Sequence, residues 1–351
     1  MHNYIGFIAE SYSFDILRPL QQAALNRGDR FFWFIYGNQI NRKLFRDDEQ
    51  VIENINQLIA LNPDAVFVPG NVVPSFIPGL KVQVFHGFEW KKKGHWRIRG
   101  CFDLYCTQGP FFTRKFNQLQ QEHGHFLVAE TGWPKLDNKP APTTPQPDQP
   151  ATILYAPTFS PSLTSVPDLF DQIISLSHRH PWRWLVKFHP KMDAQWVEKF
   201  RAAAHDKLQL VADTNLYDTF EQADLMLSDT SSIITEFVLH GKPVITYRNA
   251  QPEPVLIDIT APDQLESSIK QALATERCQQ ELIADYCRQM HPYTDGQSSE
   301  RILDQVAAIL QNGITAATPK PLNFFRELKM RKALSYWRFF NKAQRQPEPK
   351  P

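Results

Sequence analysis

The chain has 351 residues, 42% of them hydrophobic and 21% charged, with a net charge of +1. That is a globular composition, too long for one ordinary core, and a balance this close to neutral excludes a protein that grips nucleic acid with its whole surface. No apolar run approaches the roughly 20 residues that span a bilayer.

The start, MHNYIGFIAESYSF, lacks the basic leader and long apolar core of a secretory signal and reads as a first strand. Cys101, Cys106, Cys278 and Cys287 match no zinc spacing and read as free thiols of a reducing compartment, so a cytoplasmic location is expected.

In chain order, Tyr4 to Ala9 is a short apolar strand and Phe14 to Arg27 has helical spacing. Phe31 to Tyr36 is a second strand, followed by a polar helical stretch from Asp47 to Leu61. Ala65 to Val68, Val82 to Phe85, Leu104 to Thr107 and Phe126 to Ala129 are further strands. Brief continuous apolar runs separated by helices are the pattern of buried parallel strands. Residues 138–150, NKPAPTTPQPDQP, carry five prolines and no large apolar side chain, which is a linker composition.

The alternation then restarts. Strands are expected at Ile153 to Ala156, Trp184 to Phe188, Leu208 to Val211, Leu225 to Leu227 and Val244 to Tyr247. Helices are expected between them, as at Pro167 to His178 and Ser232 to His240. The expected fold class is therefore α/β: two Rossmann-like domains with parallel sheets facing across a cleft. Their spans are 1–137 and 151–312, the linker lying between them and a basic aromatic segment, 313–351, following.

Ligands of such sheets sit beyond the carboxyl ends of strands, so the strand ends carry the candidates. His86 ends one strand beside Gly87, where an imidazole can take a proton from an alcohol. The alternative is a histidine satisfied by a backbone carbonyl at a turn. Leu185 to Lys191 ends on His189-Pro190-Lys191. Pro190 stops the ladder, and His189 and Lys191 could offset charge on a leaving nucleotide, although turn formation alone explains most His-Pro pairs. Leu225 to Leu227 passes into Ser228-Asp229-Thr230-Ser231-Ser232 and then a helix. An ordinary N-cap explains one hydroxyl there but not three, so Thr230, Ser231 and Ser232 read as a phosphate site. Glu236, one turn on, is positioned for ribose hydroxyls. In Asp295-Gly296-Gln297-Ser298-Ser299-Glu300-Arg301 a turn and a helix cap are the plain reading, with Arg301 within reach of a phosphate. Trp90-Lys91-Lys92-Lys93 is either a solvated loop or a track for a phosphate-rich acceptor. There is no Asp-x-Asp, no Walker loop and no G-x-G-x-x-G, so neither a metal nor a cofactor is expected.

Taken together these stretches resemble the CDP-glycerol glycerophosphotransferase family. Six motifs carry the resemblance in order: His86-Gly87, Gly132-Trp133-Pro134, Tyr155 to Thr158, His189-Pro190, Asp229 to Ser232, and Asp295 to Arg301. The resemblance implies a GT-B fold with the acceptor on the first domain and the nucleotide on the second. It implies that His86 acts as base and that His189 with Ser231 and Ser232 holds the donor pyrophosphate. The chain departs from the family at Phe85, at Phe88-Glu89-Trp90, at Lys191 and at Thr230, which bears on donor identity. The expected enzyme moves glycerol phosphate, or a related alditol phosphate, from CDP-glycerol or another cytidine-nucleotide donor to a glycan or lipid-linked acceptor, releasing CMP. A CMP-sugar glycosyltransferase and a non-catalytic binder of anionic polymer are the rivals.

Residues 323–345 carry seven Lys/Arg against one Glu. On a helical wheel Phe325, Leu328, Tyr336, Phe339 and Phe340 share a face, which is expected to lie on an anionic membrane surface. The competing expectation is a terminal helix packed back on the first domain.

Overall fold

The computed structural model describes residues 1–92, 94–139, 149–211, 216–274 and 277–337. Most of the expected linker, and Lys93, lie outside the described residues. The first half builds a seven-stranded sheet from β1 (Asn3–Ile8), β2 (Arg30–Ile35), β3 (Gln50–Ile52), β4 (Ala65–Val68), β5 (Leu80–Gln83), β6 (Leu104–Thr107) and β7 (Leu127–Glu130). Its order is β3-β2-β1-β4-β5-β6-β7 and every pair is parallel. Helices α1 (Ser13–Asn26), α2 (Ile55–Leu61) and α3 (Pro110–His123) make the crossovers. Strands β4 and β6 are buried along their whole length, as strands covered on both faces must be.

The second half repeats the plan with β8 (Thr152–Tyr155), β9 (Arg183–Val186), β10 (Leu208–Leu210), β11 (Leu225–Ser228), β12 (Val244–Tyr247) and β13 (Ile257–Ile259). This six-stranded parallel sheet has the order β10-β9-β8-β11-β12-β13. Its helices are α4 (Val166–Arg179), α5 (Ala194–Ala202), α6 (Leu216–Gln222), α7 (Ile233–Val238), α8 (Leu265–Ala274) and α9 (Arg277–Met290). In each sheet the order reverses once, at β1/β4 and at β8/β11, and a crevice opens at such a reversal.

The expected helix from Asp47 to Leu61 is corrected. Val51 and Ile52 are drawn onto the edge beside β2, and the helix starts only after Asn54, whose side chain accepts from the Gln57 N–H. Strand β13 escaped the sequence reading because three residues, Ile257-Asp258-Ile259, give too short a signal.

After α9 the chain returns to the first half. Helix α10 (Ser298–Asn312) is held there by Asp137, whose carboxylate accepts from Ser298 N (2.8 Å) and Ser299 N (2.7 Å). Arg27, which caps the end of α1, pairs with Asp304 at 2.8 Å and with Glu300. Gly132, at φ +84°, permits the approach, since a Cβ there would meet Ser298 Oγ at 2.5 Å.

Helix α11 (Phe324–Ala333) also lies on the first half. Glu327 accepts from Ser75 N at 3.0 Å, Arg326 donates to the Arg99 carbonyl, and Lys320 pairs with Asp103 at 2.7 Å. Tyr336 is buried and stacked on Phe76 at 4.9 Å, so it does not belong to the outward apolar face expected for this segment. Phe324 and Phe325 do face outward, 63% and 85% exposed. The helix stops at Ala333, before a left-handed Ser335 (φ 52°), and Phe339 and Phe340 lie outside the described residues.

Candidate active site in the cleft

The first wall of the cleft grows from β5. Two residues past its end Phe85 adopts φ 58°, a conformation costly for a bulky side chain. Packing holds it: the Phe85 ring lies against Phe116 (5.2 Å) and His95 (5.5 Å), and its carbonyl accepts from Trp133 Nε1 at 3.2 Å. The turn throws His86 off the strand line, and Gln108 Nε2 secures the neighbouring backbone by donating to the Gly87 carbonyl at 3.2 Å.

His86 Nε2 stands 3.0 Å from Glu89 Oε2, and Lys92 pairs with the same carboxylate. The hydrogen bond from His86, with help from Lys92, outweighs burial and pulls the Glu89 carboxyl down to about 2. Tyr12 lies 5.6 Å from the His86 ring. Lys91 crosses the cleft, donating to the Gln251 carbonyl at 2.6 Å and pairing with Glu253 at 3.1 Å.

The second wall is organised by Asp229, which is fully buried. Its carboxylate accepts from Thr230 N (2.7 Å), Thr158 N (2.9 Å), Ser165 N (3.0 Å) and Ser165 Oγ (3.0 Å). Burial pushes its pKa up while these donors oppose the shift. One carboxylate thereby ties the loop after β8, the start of α4 and the loop after β11 into a single frame. Asn249 Nδ2 donates to the Asp229 carbonyl at 2.7 Å, and Ala250 N donates to Thr230 Oγ1 at 3.0 Å. Ser232 opens α7 without a side-chain cap bond, so its hydroxyl is not committed to the ordinary capping role.

Between the walls lies a cavity of about 320 Å³, lined on one side by Phe88, Glu89, Trp90, Lys91 and Lys92 and on the other by Thr230, Ser231 and Ser232. Five of the residues singled out from sequence, Lys91, Lys92, Thr230, Ser231 and Ser232, therefore meet in one place, and His86 stands behind Glu89. His189 and Lys191 are exposed and do not line this cavity; the His189 ring stacks on Phe159 at 4.4 Å, and its Nδ1 accepts from Lys191 N at 3.1 Å. Glu236 accepts from Lys135 (2.8 Å) and from Tyr217 OH (3.1 Å). Arg301 pairs with Asp295 and lies 4.0 Å over the Tyr293 ring, beside the return to the first half. Glu89, Asp229 and Asn249 were not among the sequence candidates. Asp229 lies inside a motif already quoted, but as a carboxylate collecting backbone donors it gives no local signal.

Two parallel sheets facing across such a cleft define the GT-B architecture, as solved structures bear out. The wall teichoic acid polymerase TagF superposes with a TM-score of 0.61 at 13% identity, over 90% of this chain and 90% of that one. A putative UDP-N-acetylglucosamine 2-epimerase from Listeria monocytogenes gives 0.62 at 16% identity, over 88% and 96%. The S. aureus MnaA–UDP co-structure gives 0.62 at 14%, over 92% and 100%. No curated protein sequence matches the chain. Residues 107–308 match the family described as CDP-Glycerol:Poly(glycerophosphate) glycerophosphotransferase. The chain belongs to that family and is an enzyme of the CDP-glycerol glycerophosphotransferase type.

Proposed function

We propose that this enzyme transfers glycerol phosphate, or a close alditol phosphate, from a CDP-linked donor to a hydroxyl of a lipid-linked or cell-envelope glycan acceptor, with release of CMP. The observation that carries the reading is the cavity in which the hydroxyl run Thr230-Ser231-Ser232 faces Lys91 and Lys92. Hydroxyls and ammonium groups converging on one space suit a pyrophosphate.

In this reading the half built on β8 to β13 holds the nucleotide and the half built on β1 to β7 presents the acceptor. Ser231 and Ser232 bind the pyrophosphate. His189 and Lys191, on an exposed strand end, close on the nucleotide, and His86 takes the acceptor proton. Roles for Glu236 at the ribose and Arg301 at a phosphate require them to leave Lys135 and Asp295. The acceptor hydroxyl attacks the phosphorus that carries the glycerol; the bond from that phosphorus to the bridging oxygen breaks, and CMP departs with the electron pair.

We place the enzyme on the inner membrane face. Phe324, Phe325 and the 97% exposed Leu322 project beside exposed Lys329 and Lys332, a combination suited to an anionic lipid surface.

The deciding experiment incubates the full chain with CDP-glycerol and a glycerol-phosphate-primed lipid and follows CMP. Stoichiometric CMP and lengthened lipid are expected. CMP-sugar is the control donor, because Glu89 gives the cleft a carboxylate that could serve as base in the rival reaction. Release of CMP from a CMP-sugar alone would replace the present reading with that rival, and release from neither donor would refute the proposed donor and acceptor.

A further inference from the structure

Resting on the reading that the half built on β1 to β7 presents the acceptor, we propose that a second cavity in that half, beyond the carboxyl ends of β1, β2 and β4, is the subsite for an uncharged sugar unit of the acceptor glycan.

The cavity encloses about 170 Å³ and lies where the order of the first sheet reverses, at β1/β4. Open parallel sheets take their ligands at such a reversal. Its walls carry the rings of Phe7, Tyr12 and Tyr36, together with Ser13, Gly70 and Asn71. Phe7 and Tyr36 stack at 5.6 Å. Tyr12 and Asn71 are exposed, so the cavity opens to solvent. Sites for drug-sized ligands run to about 300–1,000 Å³, and this one has room for a single small unit.

Charge decides what that unit is. None of the described residues lining the cavity is charged. Helix α1 begins there, and a helix start draws anions, but Ser13 N already donates to the Glu10 carbonyl at 3.1 Å and Phe14 N to the Ser11 carbonyl at 3.2 Å. Asp15 adds negative charge to the same first turn. A phosphate placed here would lose hydration with no cation among the lining residues to replace it. A sugar ring has apolar C–H faces and an edge of hydroxyls. The aromatic rings suit the faces, and the Ser13 hydroxyl and Asn71 amide suit the edge. The cleft cavity is the opposite, with Lys91 and Lys92 across from three hydroxyl residues.

A short run of contacting side chains separates the two cavities. Tyr12 lines the smaller one, and its ring lies 5.6 Å from that of His86. His86 Nε2 is 3.0 Å from Glu89 Oε2, and Glu89 lines the larger. A glycan seated by one sugar against Tyr12 is thereby held beside the donor site. The subsite does not depend on which group takes the acceptor proton.

Two measurements on the full-length protein test it. Saturation-transfer NMR with glucose and N-acetylglucosamine, each beside its 6-phosphate, should show transfer to a neutral sugar and none to its phosphorylated form. Gly70→Leu should abolish that transfer; a Cβ at Gly70 meets nothing within 4 Å and its φ is not positive, so the variant adds bulk without a clash. In turnover with CDP-glycerol and a glycan-borne primed lipid, Gly70→Leu and Tyr36→Ala should each raise KM for the lipid about tenfold or more, with CDP affinity within about threefold of wild type. That retained CDP affinity is also the check that each variant is folded. The inference is overturned by equal transfer to neutral and phosphorylated sugars, by transfer to neither, or by an unchanged KM in Gly70→Leu. A wild-type protein that transfers nothing from CDP-glycerol is a different failure: it overturns the underlying reading, and the assignment of this cavity to the acceptor with it.

Discussion

The two walls of the cleft are held by opposite means. From β5 to Lys92 the first relies on a strained backbone residue, a turn and side-chain ion pairs, and its titratable groups touch one another. The second is framed by one buried carboxylate that gathers backbone N–H groups, leaving hydroxyls turned to the cavity. In the proposed reading the first wall moves the proton, and the second, whose buried carboxylate is taken up by backbone donors, holds the anion.

If that division is right, the largest effect belongs to the first wall. His86→Ala should lower turnover about 10²–10⁴-fold, the range of general-base catalysis, while CDP affinity by calorimetry stays near wild type. Affinity falling together with turnover would erase the distinction between the walls.

The reciprocal experiment is the double change of Ser231 and Ser232 to Ala. Two charge-assisted hydrogen bonds at about 1.5–3 kcal/mol each should weaken CDP binding at least about tenfold. Unchanged affinity would move the anion site elsewhere.

Acid should then separate buried imidazoles from paired carboxylates. Burial lowers His95 and His291 to about 4 and His240 to about 3. Each ring is neutral when folded and takes a proton near 6.5 when unfolded. Their stability contribution is whole above pH 6.5 and falls as pH drops toward the folded values. Glu89 follows the same sign in a lower window, contributing fully above 4.5 and losing that contribution as pH approaches 2. Urea titrations should show stability declining already between pH 6.5 and 4, by about 1–3 kcal/mol per ring. His240→Phe, which removes one titrating ring, should flatten that slope, and a flat profile in the wild type would refute it.

The smallest effect lies away from both walls. Phe324→Ser with Phe325→Ser removes exposed rings and should alter stability by less than about 0.5 kcal/mol. Sedimentation with anionic vesicles should nevertheless weaken; unchanged sedimentation would assign the helix to packing alone.

Central strands were legible because a covered parallel strand must be continuously apolar, as Ala65-Val66-Phe67-Val68 is. The edge strands β3 and β13 were not, since a few residues on an edge carry too little pattern. Strand-end reasoning singled out the hydroxyl run, which lines the cavity, and His86, which stands behind Glu89. It missed Glu89, whose partnership depends on the left-handed Phe85, a conformation that no local propensity favours. Glu236 read locally as a ribose ligand but is engaged by Lys135, a hundred positions earlier, and pairing at that separation has no signature in a single sequence.

The return of α10 and α11 to the first half sets an order of events during synthesis. All strands of the first sheet, residues 3–130, are made before residues 298–336, yet Asp137, Phe76 and the carbonyl of Arg99 receive partners from that later stretch. A ribosome delivers these at about 5–20 residues per second, so the first half emerges well before its cover and waits roughly ten seconds or more for it. A stop codon ahead of residue 298 would therefore injure a part of the chain made well before it, and such truncations should be cleared by proteolysis as uncovered first halves.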